Sequence, residues 1–185
     1  MIPAILVGRK GSKGFPGKNT YEVMGKPLCY YPSKIASQVE LIDEIYFSTD
    51  CPKMKDFAHK ENYKIIDRPN ELAQSDSNPE EVFLHAYEQI LNEKNIKEVE
   101  MLVLLMANCV TITKEKILEG IKVLRANDKY DSAVTVSSYN SYSPHRARKI
   151  DENGLLQPFI PFEKFEEKNK IRAERSALGN VWFAD

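Results

Sequence analysis

The chain has 185 residues, with 26 Lys and Arg against 27 Asp and Glu, for a formal net charge of −1. That length supplies a real hydrophobic core in one domain, or in one domain with an arm, and the near-neutral balance leaves no global basic field for nucleic acid. Three widely spaced cysteines, Cys29, Cys51 and Cys109, argue against a disulfide framework and a zinc site, and the longest apolar run, residues 101–107, is far too short to cross a bilayer.

Residues 2–7, Ile-Pro-Ala-Ile-Leu-Val, read as a first, buried strand. Met1 leads straight into it without a basic or long apolar leader, so no signal peptide and a cytoplasmic location are expected. Gly8 then opens a loop, residues 9–19, with glycines at 11, 14 and 17 and cations Arg9, Lys10, Lys13 and Lys18. Glycines let backbone approach a ligand and aim several N–H groups at one point. Cations beside such a nest suit a polyphosphate. A Walker A loop is excluded: five residues separate Gly11 from Gly17, and Asn19 stands after Lys18 where a magnesium-binding hydroxyl is needed. The dinucleotide fingerprint fails as well, since these glycines recur every third residue. The bland alternative is a solvated basic turn.

The remaining elements alternate. Residues 30–39 read as a helix, with Tyr31, Ile35 and Val39 four apart. Residues 44–48 read as a strand that ends in Thr49 and Asp50; Asp50 serves either as a turn cap or as a nucleotide contact. A short helix over 53–61 and a strand over 63–66 follow, then a polar loop over 68–78. Asn78, Pro79, Glu80 and Glu81 start a helix well, with Val82, Phe83, Ala86, Ile90 and Leu91 inward. His85 on this helix reads as structural, beside core residues. Residues 101–106 read as a central strand, apolar on both faces. Thr113 caps a helix with Ile117, Leu118, Ile121 and Leu124 inward, and residues 132–137 read as a further strand. This alternation predicts an α/β architecture with a mostly parallel sheet. Ligands bind such sheets at the carboxyl ends of the strands, where the loops 9–19, 68–78 and 107–113 fall.

From residue 139 the pattern changes. Residues 141–149 are polar and basic, and 151–154 read as a turn between two short strands, 147–150 and 155–158. Phe159, Phe162 and Phe165 suit the covering of a partner subunit, whereas the charged run 166–170 reads as solvated surface. His145 fits a sugar contact or an idle surface position equally. Cys109 has no apparent paired base and reads as packing, and the tyrosines 30, 31 and 63 read as core.

Five motifs in order carry a resemblance. They are Arg9-Lys10-Gly11-Ser12-Lys13-Gly14 with Lys18-Asn19; Gly25-Lys26-Pro27-Leu28; Ser48-Thr49-Asp50; Arg68-Pro69-Asn70-Glu71-Leu72-Ala73; and His85-Ala86. The chain resembles the acylneuraminate cytidylyltransferases, the CMP-sialic, legionaminic and pseudaminic acid synthetases, which are related to the CMP-KDO synthetases. The match is good to about residue 106 and looser after it. The resemblance implies a three-layer Rossmann-like nucleotidyltransferase fold with a small β arm. It divides the chain into a nucleotide-binding core over 1–138, an arm over 139–178 for dimerisation and sugar contact, and a returning core strand over 179–185. The implied activity moves CMP from CTP to an acidic nine-carbon (nonulosonic) sugar and releases pyrophosphate, with Mg2+ as cofactor, in a homodimer, with no nucleic acid or membrane partner. A nucleotidyltransferase for another sugar, or a non-catalytic nucleotide-binding relative, is the alternative.

The resemblance also implies roles. Arg9, Gly11, Ser12, Lys13, Lys18 and Asn19 would hold the triphosphate and ribose, with Lys13 and Lys18 as the catalytic cations. Arg68, with Ser77 or Asn78, would contact the cytosine. Asn108, Arg146, Arg172 and Arg175 would contact the sugar. Two departures stand out. Met106 occupies the position of the family's sugar-contacting Gln, which points away from ordinary sialic acid. The family's metal-binding aspartates fall beyond residue 185, so the resemblance implies either that the chain is cut short or that magnesium is held otherwise, and the metal ligands stay unassigned.

Overall fold

The computed structural model describes residues 1–11, 14–74, 77–139, 148–158 and 181–184. The chain divides into two compact units, Met1–Ala133 and Val134–Asp185.

The first unit contains β1 (Pro3–Val7), a small hairpin of β2 (Glu22–Val23) and β3 (Lys26–Pro27), α1 (Tyr30–Ala36) and β4 (Glu44–Thr49). It continues with α2 (Pro52–Lys60), β5 (Lys64–Asp67), α3 (Pro79–Lys94), β6 (Val103–Met106) and α4 (Lys114–Arg125). Strands β5, β4, β1 and β6 form one sheet in that order, and every pairing is parallel. β1 is buried along its whole length, as a strand covered on both faces requires. Its alternate side chains serve opposite cores. Ala4 and Leu6 join Ile45, Phe47, Met54 and Ala58, so α1 and α2 cover that face. Ile5 and Val7 join Tyr46, Val82, Ala86 and Ile90, so α3 covers the other. Helices on both faces of a parallel sheet make the three layers expected. α4 adds Ile117 and Ile121 against Ile2 and Val39.

The helix starts follow capping chemistry. The Asn78 side chain accepts the Glu80 N–H at 3.0 Å ahead of Pro79, and Thr113 accepts the Lys116 N–H at 3.4 Å. α1 stops at Ala36, three residues short of the expected end, because Gln38 and Val39 turn back onto the carbonyls of Ile35 and Ala36. Val39 is still buried.

Two expectations need correction. The strand at 101–106 is not central: β6 lies at one end of the described sheet, and Leu104 and Met106 are 44% and 40% exposed. An apolar run reports burial tendency, but strand order is set by the crossovers, which place β1 between β4 and β6. The strand expected over 132–137 is Val136–Tyr139 (β7), and Val134 is 60% exposed. Its limits are those of its antiparallel pairing with Val181–Ala184, which runs from Val136↔Ala184 to Tyr139↔Val181.

In the second unit, β8 (Arg148–Ile150) and β9 (Leu156–Pro158) form an antiparallel hairpin, and β10 (Val181–Ala184) pairs with β7. The Asp151 carboxylate builds the hairpin turn by accepting from the N–H groups of Asn153 and Leu155, and Gly154 takes the left-handed conformation with φ 76°. Among the described residues no helix is long and apolar enough to cross a membrane.

Candidate active site

Because the four strands are parallel, their carboxyl ends meet at one edge of the sheet. Gly8 sits there, where the chain leaves β1. Its N–H donates to the Ser48 carbonyl at 3.3 Å, and the Ala107 N–H donates to the Val7 carbonyl at 2.9 Å. A Cβ on Gly8 would meet Met54 Cε at 2.6 Å and the Ala107 Cβ at 2.8 Å. Only glycine lets the loop leave the sheet so close to α2 and the end of β6.

The loop that follows is pinned at both ends. The Lys10 N–H donates to Asp50 Oδ1 at 2.7 Å, and the buried Asn19 donates from Nδ2 to the Arg9 carbonyl at 3.1 Å. The Cys29 N–H donates to the Asn19 carbonyl at 2.9 Å, which ties the loop to the start of α1. Gly17 adopts φ 72° just before the 3-10 turn Lys18–Thr20, a conformation that favours glycine. Phe15 rests on Tyr21 with ring centroids 5.0 Å apart. Arg9 and Lys18 are half-buried, and Lys10 and Gly11 are exposed. Ser12 and Lys13 lie outside the described residues.

Arg68, at the carboxyl end of β5, is only 9% exposed. Its Nη2 donates to the Ser48 carbonyl at 2.6 Å. Burial pulls its guanidinium below the ordinary arginine range; the Asp50 carboxylate opposes that shift and the Arg9 cation adds to it. Arg68 therefore feels the charges of both Asp50 and Arg9. Two cations against one carboxylate leave this edge positive, which suits an anionic ligand.

Other expected site residues are differently placed. The Ser77 hydroxyl donates to the Glu71 carbonyl at 3.0 Å, and Asn78 is engaged through Oδ1 as the cap of α3. Asn108 is exposed in the turn after β6, its carbonyl accepting the Val110 N–H. Arg146, Arg172, Arg175 and His145 lie outside the described residues. His85 is half-buried, and its buried Nδ1 has no partner among the described residues. Burial pushes the Cys29 thiol up to about 12, with Cys51 adding to the shift, so it stays protonated and inert at neutral pH. The link between Asp50 and Lys10 is the feature not read as a site; its only sequence signal was an acid at a strand end on the ligand edge.

Among the described residues no three His, Cys, Asp or Glu gather to hold a metal ion, and Asp50, the carboxylate at the loop, is engaged by the Lys10 amide. The described donors do not fit the implied Mg2+ as a protein-held metal centre.

A three-layer α/β fold with a cationic glycine loop on its carboxyl edge is the architecture of the Rossmann-like nucleotidyltransferases. The chain belongs to the cytidylyltransferase family, whose profile, described as "Cytidylyltransferase", matches residues 3–154. It is 27% identical over 92% of its length to an N-acylneuraminate cytidylyltransferase of Escherichia coli, of which it spans 39%. It is 24% identical over 84% of its length to a Helicobacter pylori protein, a pseudaminic acid cytidylyltransferase and UDP-2,4-diacetamido-2,4,6-trideoxy-beta-L-altropyranose hydrolase, of which it spans 29%. A Legionella pneumophila CMP-N,N'-diacetyllegionaminic acid synthase is 29% identical over 92% of the chain, which spans 73% of that protein. In fold, it resembles a CMP:2-keto-3-deoxy-manno-octonic acid synthetase solved with CTP, at TM-score 0.56 and 18% identity, over 74% of this chain and 51% of that one.

Proposed function

We propose that this protein transfers CMP from CTP to an acidic nonulosonic sugar and releases pyrophosphate. The observation that carries the reading is the closed cationic loop on the carboxyl edge, flanked by the buried Arg68, in a chain of the cytidylyltransferase family. The names of the Escherichia coli and Legionella pneumophila relatives support the sugar class.

In this reading the sugar's anomeric hydroxyl attacks the α-phosphorus. The new O–Pα bond forms as the bond from Pα to the bridging oxygen breaks, pyrophosphate takes that oxygen, and the hydroxyl proton passes to solvent. The protein's work is positioning and charge neutralisation. Arg9, Lys18 and the amides of the loop, with Ser12 and Lys13, hold the triphosphate, and the catalytic cations are Lys13 and Lys18. Of the triphosphate and ribose contacts expected of this loop, Asn19 is assigned to the nucleoside side. Its Nδ2 closes the loop, and its buried Oδ1 has no partner among the described residues. An amide oxygen accepts hydrogen bonds and repels phosphate, so it suits a ribose hydroxyl or the amine of the base. Arg68, Ser77 and Asn78 are assigned to the cytosine. Asn108, Arg146, Arg172 and Arg175 are assigned to the sugar, whose carboxylate an Arg fork recognises.

Mg2+ belongs to the proposal as a counter-ion of the triphosphate, with no ligand assigned to it. So do a core over 1–138, a homodimer built through the arm 139–178, and a cytoplasmic location. The exposed Met106, in place of the family's Gln, favours a sugar other than ordinary sialic acid. A thermal-shift panel of CTP, UTP, ATP and GTP tests the nucleotide: the reading requires the largest stabilisation from CTP, and an equal or absent response to all four overturns it.

A further inference from the structure

A carboxylate stands on the edge that suits an anion. Asp50 follows β4, and its Oδ1 accepts the Lys10 N–H at 2.7 Å. An acid at the foot of a cationic loop opposes a polyphosphate by charge, so its place there needs an account. Its backbone is fixed on both sides. Thr49 is fully buried, and its Oγ1 accepts the Cys51 N–H at 3.0 Å. The Cys51 carbonyl then accepts from the N–H groups of Met54 and Lys55 at 3.1 and 3.0 Å, which starts α2 at once.

What this carboxylate holds is the first turn of the glycine loop. Gly8 leaves β1 on its bond to the Ser48 carbonyl, and two residues on the Lys10 N–H meets Asp50. Lys10 lies between Arg9 and Gly11, and the Arg9 guanidinium comes within 3.6 Å of the position a Cβ on Gly11 would take. Fixing the Lys10 amide therefore sets where Arg9 and Gly11 stand. The same strand end serves Arg68, whose Nη2 donates to the Ser48 carbonyl and whose N–H donates to the Thr49 carbonyl at 3.4 Å. Hydrogen bonds to a carboxylate are stronger than neutral ones, and a loop ordered beforehand loses less entropy when its ligand binds. We propose that Asp50 is a positioning residue of the nucleotide site, its carboxylate holding the Lys10 amide so that the loop stands against the end of β4, beside Arg68, before the nucleotide arrives. The inference rests on the reading that this loop holds the nucleotide's phosphates.

A series at position 50 tests it, with CTP and inorganic tripolyphosphate as the probes. Asp50→Asn keeps an acceptor where Oδ1 stands, Asp50→Glu keeps the charge but carries it one methylene too far, and Asp50→Ala removes both. The expected result for both probes is near-native affinity in Asp50→Asn and a loss on the order of tenfold in Asp50→Glu and Asp50→Ala, the worth of one hydrogen bond to a charged group. Hydrogen exchange of the Lys10 N–H, followed by NMR in the nucleotide-free protein, should be slower in wild type and Asp50→Asn than in the other two. Equal affinities across the series overturn the proposal. So does native affinity in Asp50→Glu beside a loss in Asp50→Asn, which would assign the effect to charge alone, and so does a loss seen with CTP and not with tripolyphosphate. Should Asp50→Ala fail to fold, the contrast between Asp50→Asn and Asp50→Glu still decides. If wild type binds neither probe the functional reading falls, while the exchange series still decides whether Asp50 holds the loop.

Discussion

Asn19 donates from Nδ2 to the Arg9 carbonyl across 3.1 Å, closing the cationic loop on itself. Asn19 is also buried and receives the Cys29 N–H on its own carbonyl. Asn19→Ala removes the closing donor from a buried site, and the expected cost is about 1–2 kcal/mol of folding stability. Asn19→Asp should cost more, since it sets a carboxylate against a carbonyl. Urea unfolding checks the order: wild type most stable, then Ala, then Asp.

Gly8→Ala places a methyl 2.6 Å from Met54 Cε and 2.8 Å from the Ala107 Cβ. Met54 can shift, but Ala107 sits on rigid backbone at the end of β6. The expected destabilisation is about 1–3 kcal/mol, the usual range for overpacking, read as a lower midpoint in the same urea titration. An unchanged midpoint would show that this edge is looser than its contacts imply.

Thiol labelling separates the three cysteines. Cys29 and Cys51 are buried, and the Cys29 thiol is held up near 12, chiefly by burial. Cys109 is half-buried. At pH 8 a small disulfide reagent should titrate Cys109 in the native protein and the other two only after denaturant is added.

Glu44 sets an acid limb on stability. Burial by itself would raise its carboxyl, but hydrogen bonds from Lys94 and Tyr46 and the charges of Lys64 and Lys94 outweigh that and hold it below its ordinary value of 4.5. The unfolded chain therefore takes up this proton at a higher pH than the folded one. The stabilisation is present above about pH 4.5 and fades as pH falls through the lowered folded value. Glu44→Gln should flatten the acid side of the stability curve, measured by urea midpoints from pH 6 to pH 3.

Sequence alone disclosed β1, its glycine loop, the caps at Asn78 and Thr113, and the turn at Asp151, because each rests on local chemistry: period, cap or turn residue. It failed where distant segments decide. The run at 101–106 announced burial, yet Leu104 and Met106 are 44% and 40% exposed on β6, which ends the described sheet. The bond from Lys10 to Asp50 joins residues 40 apart, and no local pattern marks it. Arg68 was legible as a motif residue, but its burial against the Ser48 carbonyl was not, since arginine is rarely buried without a partner.

The measurement closest to the central claim is pyrophosphate release from CTP by the full-length protein, with a panel of acidic nonulosonic acids. The account predicts release that depends on one of these sugars and falls on the order of 10²-fold or more in Lys18→Ala, as for loss of one electrostatic stabiliser. Absence of sugar-dependent release across the panel, together with unchanged CTP binding in Lys18→Ala, would contradict it.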